Sequence, residues 1–402
     1  MHSTGSEARP DAQATVAPRA RPLGVPLGGA IAERAPEGVA GVDGAERPHL
    51  LGMLPEDLLA WMQAHGLPGG ITAARKVLGH LVSVGAPSLA TMRLPVPKAL
   101  STAVHAGLDH RRLEVLERFV DPTDRSVRYL FRHPDGATSE AVRIPLHKPG
   151  RFSVCLSSQV GCAMRCAFCA TGRLGLQRNL APWEMVAAFV TVRDEVVAEG
   201  AGRVTGAVFM GQGEPFHNYG AVIRAAQILS DPCGGRISAD AITISTVGLV
   251  PRIRQYTAEG HKFRLIVSLS SAIAERREGL LPIAGKWSLH ELADALRAHQ
   301  AAAGGRMTVA WVVMSGVNTG PEEAEALAQL LGDVPLRVNL IDVNDARPDG
   351  FRRAPDAERK AFMDALQVLR APVVRRYSVG QDQRSACGML ASTWTPAAEV
   401  AP

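Results

Sequence analysis

From about residue 150 onward, short β-type patterns of apolar residues alternate with longer helical patterns. Runs rich in β-branched and aromatic residues predict strands, and the segments between them repeat apolar residues at helical spacing. Strands that alternate with helices predict a parallel sheet with right-handed crossovers. The strands are predicted at residues 152–157, 205–211, 241–246, 263–270, 307–314, 336–341 and 372–378, and the main helices at 182–200, 288–304, 321–332 and 356–369.

This repeat favours an α/β barrel or partial barrel over a doubly wound sheet, because no dinucleotide-binding glycine fingerprint accompanies the strands. In such barrels the loops that follow the carboxyl ends of the strands carry the chemistry. We therefore expect the functional residues at those strand ends.

The chain before the repeat has a different composition. Residues 1–47 are rich in Ala, Gly, Pro and Arg, and the first Trp, Tyr or Phe of the chain is Trp61. Such a segment cannot bury enough apolar surface to offset its ordering entropy, so we predict a disordered tail. Helical patterns follow at 49–66, 71–85 and 96–107, and a hairpin pattern at 125–145 turns at Pro134-Asp135-Gly136.

These patterns predict four regions. A disordered tail occupies residues 1–47, and a small, mainly helical accessory domain occupies 48–135. The α/β core extends from 136 to 392, and a short C-terminal tail covers 393–402.

Composition indicates a folded globular protein and bears on its location in the cell. The 402 residues are 46% hydrophobic and 21% charged, which is typical of a folded globular protein. No apolar run is long enough to cross a bilayer and no secretory signal is evident, so a cytoplasmic location without membrane attachment is predicted. The net charge of +5 is compatible with a polyanionic partner.

Four of the six cysteines lie within residues 155–169, which read CLSSQVGCAMRCAFC. Clustered cysteines in a reducing compartment are more often metal ligands or catalysts than disulfides. Cys162, Cys166 and Cys169 directly follow the first strand of the repeat. Structural zinc normally has four protein ligands, whereas three thiolates on a four-iron cluster leave one iron open to a small molecule. A zinc site completed by Cys155 or by a remote residue, and thiols without any metal, are the alternatives.

The spacing C-x-x-x-C-x-Φ-C, with Phe168 before the last cysteine, resembles the radical S-adenosylmethionine (SAM) superfamily. The longer string CLSSQVGCAMRCAFCATG is similar to the RlmN/Cfr family of RNA methyltransferases, and the resemblance covers residues 50 to 392. It implies a partial (β/α)6 barrel of the radical SAM class and a [4Fe-4S] cluster whose open iron binds SAM. It also implies that a 5′-deoxyadenosyl radical forms when SAM is cleaved.

The resemblance extends to cofactor positions on later strands. The sequence GQGEP matches the family's G-x-G-E-P motif, which implies that Gly213 and Glu214 contact the ammonium end of SAM. The chain departs from the family pattern at Gln212, His217, Ser270 and Gln381. Further cofactor contacts are implied at Ser245, Ser268, Leu269, Ser270 and Asn344.

Three more residues match catalytic positions of the family. Cys387, in SACGML, matches the cysteine that accepts a methyl group from a first SAM before a second SAM is cleaved. Cys155 matches the thiol that resolves the protein–RNA intermediate and leaves a disulfide with Cys387. Glu140 matches the glutamate that accepts the ring proton, although an exposed hairpin carboxylate is an alternative interpretation. Cys233 matches no position.

The resemblance implies methylation of a ring carbon of adenosine, namely C2, in 23S rRNA, with tRNA as a further candidate substrate. The expected partners are this RNA, an electron donor such as flavodoxin or ferredoxin, and a thiol reductant; a monomer is expected, and the accessory domain is expected to bind RNA. Arg352 and Arg353 are candidate phosphate contacts. The alternatives are a family member with C8 or other RNA specificity and a non-catalytic iron–sulfur protein that binds RNA.

Overall fold

The computed structural model describes residues 47–83, 96–344, 347, 350–376 and 389–390. All of these residues belong to one compact unit. No helix among them is long and apolar enough to span a membrane. The α-helices are α1 (Pro55–Ala64), α2 (Ile71–Ser83), α3 (Lys98–Gly107), α4 (Ala170–Leu174), α5 (Pro182–Ala198), α6 (Tyr219–Ser230), α7 (Val250–Glu259), α8 (Ala274–Leu280), α9 (Leu289–Ala303), α10 (Pro321–Leu331) and α11 (Asp356–Ala365).

The strands form one large sheet and one small one. They are β1 (Glu114–Val120), β2 (Val127–Arg132), β3 (Thr138–Pro145), β4 (Arg151–Leu156), β5 (Gln159–Gly161), β6 (Leu176–Asn179), β7 (Arg203–Phe209), β8 (Ile242–Thr246), β9 (Arg264–Ser268), β10 (Met307–Val313), β11 (Leu336–Asp342) and β12 (Val373–Arg376). In the large sheet the order is β1-β2-β3-β4-β7-β8-β9-β10-β11-β12, and β5 pairs with β6 separately.

The seven predicted strands correspond to β4 and to β7 through β12. These seven pair in parallel, each with the next one along the chain, and β12 forms one edge of the sheet. The sequence-based prediction of an α/β partial barrel is therefore confirmed. The first three helices confirm the mainly helical pattern predicted before the hairpin.

The predicted hairpin joins the core sheet. β2 pairs antiparallel with β3, and β3 pairs antiparallel with β4, so the accessory strands extend the sheet beyond its first parallel strand. Gly136 has φ +82° in the turn between β2 and β3, as the Pro-Asp-Gly pattern predicted. The predicted domain boundary at residues 135/136 falls in this turn, between two paired strands; the division into domains stays a prediction.

The two faces of the parallel strands differ in character. On one face the side chains are large and apolar, such as Ile244, Val267 and Trp311, and they join the main hydrophobic core. Alternate residues point to the other face because a strand has a side-chain period of two. On that face the same strands carry several small or polar residues, including Ser245 and Ser268, together with Ile266 and Ile341. This concave face is where the polar chemistry of the fold is placed.

A buried carboxylate on α5 contacts the hairpin formed by β2 and β3. Oε1 of Glu184, in the first turn of α5, lies 2.6 Å from Nδ1 of His133, and both side chains are fully buried. Arg178 donates to both carboxylate oxygens at 2.9 Å. Burial alone would raise the pKa of Glu184, but its contacts with His133 and Arg178 outweigh burial and lower that pKa below its usual value.

We expect Glu184→Gln to lower the free energy of unfolding by about 3 kcal/mol, because it leaves a buried ion pair without one partner. The folded-state pKa lies below the unfolded value, so this contribution is complete at neutral pH and disappears as the pH falls through the folded pKa. Urea unfolding at several pH values measures both effects. The control is Glu322→Gln, a half-exposed first-turn carboxylate of α10 that pairs with Arg276 at 3.2 Å; equal losses in the two variants would contradict the prediction.

Candidate functional site

The three-cysteine loop is held in place by main-chain hydrogen bonds. It follows β5, and the N–H of Cys162 donates to the carbonyl of Gly175 at 2.9 Å. The N–H of Ala167 donates to the carbonyl of Leu280 at 2.9 Å, which attaches the loop to the end of α8. These bonds hold the loop at two points and present its thiols to the concave face of the sheet.

A cavity of about 160 Å³ lies between this loop and the carboxyl ends of the parallel strands. Side chains of Cys162, Cys166 and Cys169 line one side of it. The other side includes five of the predicted cofactor residues, namely Gly213, Glu214, Ser245, Ser268 and Asn344. The structure thus brings together residues from five separate elements, as their positions at strand ends predicted.

Two predicted cofactor residues lie elsewhere. The side chain of Leu269 belongs to the hydrophobic core. Ser270 is fully buried with φ +57°; its Oγ accepts from the N–H of Val312 at 3.3 Å, and its carbonyl accepts from Nδ2 of Asn318 at 2.6 Å. Neither residue lines the cavity, so their roles in cofactor binding stay predictions.

Burial makes the free thiolates of this loop costly. Burial raises the pKa of Cys162 to about 12 and that of Cys166 well above its usual value, so each thiolate needs a positively charged partner such as a metal. Within the described residues, no three His, Cys, Asp or Glu side chains are arranged to hold one metal ion. Three thiols on one loop supply three ligands, one fewer than a closed structural zinc site normally has.

Glu214 provides a buried carboxylate beside the thiols. Its oxygens accept from the N–H groups of Phe216 and Val247, each at 2.9 Å. Burial raises the pKa of Glu214 to about 7, because these neutral donors only partly replace water. A carboxylate in this state favours a cationic group as its ligand.

The turn that carries Glu214 requires glycine. Gly213 has φ +100°, and a Cβ at this position would lie 2.6 Å from Cβ of Gln159 and 2.7 Å from Oγ of Ser158. Gln159 also accepts from the N–H of Glu214 at 2.9 Å, and its Nε2 lies 2.9 Å from Nδ1 of His217. Sequence reasoning missed Gln159, although it lies within the motif CLSSQVGC.

A buried arginine forms hydrogen bonds with the main chain at the carboxyl ends of β8 and β9. Arg277, on α8, donates to the carbonyl groups of Ser268 at 3.1 Å, of Val247 at 2.6 Å and of Leu269. Burial lowers the pKa of Arg277 to about 10, and the nearby Cys166 opposes this shift. Nothing in the sequence distinguishes Arg277 from its exposed neighbours, so its role emerges from the structure alone.

Glu140 is buried, with only 1% of its surface accessible to solvent. The alternative interpretation of Glu140 as an exposed hairpin carboxylate is therefore wrong. Its Oε1 accepts from Nη1 of Arg128 at 2.6 Å, and its Oε2 accepts from Nε2 of Gln212 at 3.1 Å. The carbonyl of Glu140 accepts from Oγ of Ser157 at 2.6 Å. These bonds connect β3 with the glycine-rich turn after β7.

Cys155 lies behind the cavity rather than in its lining. It packs with Val142 and Leu390 in a small buried cluster. Leu390 also lines the cavity, and its carbonyl accepts from Oγ1 of Thr171 at the start of α4. Cys387 and Gln381 lie outside the described residues.

The arginine pair proposed as a phosphate contact is partly engaged within the site. Arg353 donates to Oδ1 of Asn344 and, through Nε, to the carbonyl of Val343 at 3.1 Å. The guanidinium of Arg353 therefore contacts a residue of the cavity wall, and Arg352 and Arg353 are both exposed. Cys233 lies just beyond α6 and does not line the cavity.

We expect Gly213→Ala to raise the Kd for SAM about tenfold or more, since a non-glycine residue in this conformation stores about 1–3 kcal/mol of strain. Equilibrium dialysis of the cluster-loaded protein measures this affinity. Gly279→Ala is the matched control, because no atom lies within 4 Å of the added carbon. Equal SAM affinity in the two variants would show that the turn tolerates a side chain.

Replacement of Arg277 by Gln should lower the free energy of unfolding by about 3 kcal/mol, because three buried carbonyl groups lose a charged donor. Urea denaturation of the variant measures this loss. Arg254→Gln, at an exposed position of α7, is expected to change stability by less than about 0.5 kcal/mol. A wild-type transition midpoint for Arg277→Gln would mean that water replaces the guanidinium without cost.

Comparison with known proteins identifies the family. No family model matches the chain. A probable RNA methyltransferase of Anaeromyxobacter sp. (strain Fw109-5) is 49% identical over 86% of this chain and 98% of its own length. The dual-specificity RNA methyltransferase RlmN of Anaeromyxobacter dehalogenans is 36% identical over 85% of this chain and 92% of its own length.

A solved structure agrees with these relatives. The crystal structure of a radical SAM methyltransferase from Sphaerobacter thermophilus is 34% identical and superposes with a TM-score of 0.79 over 85% of this chain and 99% of that chain. Membership of this family implies SAM and an iron–sulfur cluster as cofactors. On this evidence, and as the cysteine motif predicted, the chain belongs to the RlmN-type family of radical SAM RNA methyltransferases.

Proposed function

We propose that this protein methylates a ring carbon of adenosine, C2, in 23S rRNA and also in tRNA, through an S-methylated Cys387. The observation that carries the proposal is the meeting of three thiols and the Glu214 carboxylate at one cavity in a member of this family. The dual-specificity name of the RlmN relatives supports two classes of RNA substrate.

In this proposal, Cys162, Cys166 and Cys169 hold a [4Fe-4S] cluster with one iron open to SAM. Glu214 binds the ammonium of SAM, because it is a buried carboxylate supplied only with neutral donors. Gly213, Ser245, Ser268 and Asn344 surround the rest of the cofactor. When bound, the cluster and SAM supply the methyl group and the one-electron chemistry that a non-nucleophilic ring carbon requires.

Cys387 and Cys155 form the thiol pair of the reaction. Cys387 precedes Leu390 by three residues, and three residues span at most about 11 Å. Because Leu390 packs against Cys155 and lines the cavity, this reach supports a role for both thiols at the same site. Attack of the Cys155 thiolate on the sulfur of Cys387 breaks the bond between that sulfur and the carbon attached to the base. The carbon leaves with the bonding electrons and takes up a proton to become the methyl group. The disulfide that remains between Cys155 and Cys387 is reopened by a cellular thiol reductant.

Glu140 serves as the proton acceptor in this proposal. Arg128 holds one carboxylate oxygen and Gln212 holds the other, so the group is fixed in orientation at the carboxyl end of β4. A carboxylate that is ionised can accept a proton. Gln212 therefore acts as a positioning residue.

The remaining partners belong to the same proposal. RNA is the substrate, and residues 48–135 form the accessory region that binds it. A flavodoxin- or ferredoxin-like protein supplies electrons, and the enzyme acts as a cytoplasmic monomer.

A second candidate is a family member with another RNA position or with C8 as its target. The relatives from Anaeromyxobacter sp. and Myxococcus xanthus, at 49% and 43% identity, are named only as probable RNA methyltransferases. The RlmN-named relatives lie at 36–38% identity. The departures at Gln212, His217 and Ser270 lie outside the cavity lining, in segments next to it, and they keep this candidate open.

We expect the C-terminal tryptic peptide that begins at Ser385 to be one methyl group heavier at Cys387 in protein made with ample iron and sulfide. Fragment-ion mass spectrometry locates the methyl group. Reaction with RNA and methyl-labelled SAM, followed by nucleoside analysis, then distinguishes 2-methyladenosine from 8-methyladenosine.

Two controls accompany this measurement. Cys387→Ala removes the methyl acceptor, and Cys233→Ala removes a thiol with no role in the proposal. An unmodified Cys387 in cluster-loaded wild-type protein, with no label in RNA, would contradict the enzyme and support the non-catalytic RNA-binding alternative.

A further inference from the structure

A second cavity lies on the concave face of the sheet, at the opposite end of the strands from the cysteines. Its volume is about 800 Å³. Thr243, Ile266, Thr308 and Asn339 line it from the strands β8 to β11. Two residues further along three of these strands, Ser245, Ser268 and Ala310 line the first cavity, so the two cavities follow each other along one face.

The lining of this second cavity is strongly basic. Its cationic side chains come from different elements and from the loops between them, and the set is Lys262, Arg264, Arg306, Arg337 and Arg376. His261 and His299 also contribute, and no Asp or Glu belongs to the lining. The whole chain has a formal net charge of only +5, so five cations at one cavity represent a local concentration of charge.

Nearby carboxylates balance little of this charge. Asp240 lies 4.0 Å from Arg264, and both side chains are largely exposed, so the pair contributes little. Glu259 is paired with His261 at 2.6 Å. Among the described residues, no carboxylate comes within 4.0 Å of the other four cations. All five side chains are exposed, so water and salt screen their mutual repulsion, and an anionic ligand that contacts several of them would replace that screening.

The strand register explains why these charges converge. Thr243 pairs with Arg264 on β8 and β9, and Thr308 pairs with Arg337 on β10 and β11. The interior of an α/β barrel is normally filled with bulky branched residues. Here most of the corresponding positions carry hydroxyl, amide or guanidinium groups, with Ile266 and Val374 as the apolar exceptions, so this part of the concave face is largely polar.

The chemistry of the lining selects the class of ligand. Guanidinium groups bind phosphate oxygens in a bidentate manner, and the threonine hydroxyls and the Asn339 amide add neutral donors. A cavity of this size is typical of sites for nucleotide-sized molecules. SAM carries a cationic sulfonium and does not match such a lining.

We propose that this cavity binds a phosphate-bearing polyanion at the end of the barrel remote from the cluster. The backbone of an RNA and a free nucleoside polyphosphate share the required chemistry. Binding of RNA here rests on the proposed function, because a second segment of the substrate RNA must reach this end of the sheet. Binding of a free nucleoside polyphosphate does not depend on the proposed function.

The double variant Arg337→Gln/Arg376→Gln tests the proposal in the full-length, cluster-loaded protein. The control, Arg254→Gln/Lys360→Gln, removes the same charge from exposed positions on α7 and α11. Thermal unfolding shows whether both doubles remain folded. Fluorescence anisotropy of a labelled single-stranded RNA, titrated at several KCl concentrations, gives the slope of log K against log salt for each protein.

If RNA occupies the cavity, the slope for Arg337→Gln/Arg376→Gln is smaller in magnitude than the wild-type slope by about 1.4, that is, by about 0.7 for each lost phosphate contact. The control double variant keeps the wild-type slope.

Calorimetry with inorganic tripolyphosphate tests whether a free anion binds in the cavity. Saturable binding to the wild type that is lost in Arg337→Gln/Arg376→Gln supports a free anion as the ligand. The proposal is overturned if the two double variants have the same salt slope for RNA binding and also bind tripolyphosphate equally. Methyl transfer by the wild type is scored separately, so failure of the proposed function is distinguishable from failure of this inference.

Discussion

The site depends on the close approach of two main-chain segments, residues 157–159 after β4 and 211–214 after β7. The N–H of Ser158 donates to the carbonyl of Gln212 at 2.7 Å, and the side chain of Gln159 caps the N–H of Glu214. Only glycine fits at 213, because any Cβ there would meet Gln159 and Ser158. This contact places Glu214 beside the thiols, since the same stretch of chain continues directly into the cysteine loop.

The antiparallel hairpin is part of this arrangement rather than an appendage. Arg128 on β2 and Gln212 in the turn after β7 both bind Glu140 on β3, so the accessory strands and the glycine-rich turn share one buried carboxylate. A second buried carboxylate, Glu184, joins the same hairpin to α5 through His133. Buried charges of this kind are costly unless fully partnered, so both contacts constrain how the hairpin sits on the core.

Sequence patterns could predict the elements that repeat and the residues that follow strand ends. Strand periodicity identified β4 and β7 to β12, and the cysteine spacing identified the loop that lines the cavity. The sequence pattern did not identify Arg277. In a sequence, a buried arginine that binds main-chain carbonyl groups cannot be distinguished from an arginine on the surface of a helix. Nor does the sequence pattern contain the left-handed backbone that buries Ser270, a residue whose cofactor role was implied by the family resemblance and stays a prediction. These features depend on tertiary contacts between elements far apart in sequence, which no local pattern contains.

The concave face of the sheet carries opposite electrostatic character at its two ends. At the carboxyl ends of the strands, burial of thiols and of Glu214 creates a site that requires positive charge, which a metal cluster and the ammonium of SAM can supply. At the second cavity, Arg264 at the start of β9, Arg337 near the start of β11 and Arg376 at the end of β12 supply positive charge that favours an anionic ligand. Because the strands are short, one sheet can thus hold a cationic cofactor group at one end while attracting a polyanion at the other.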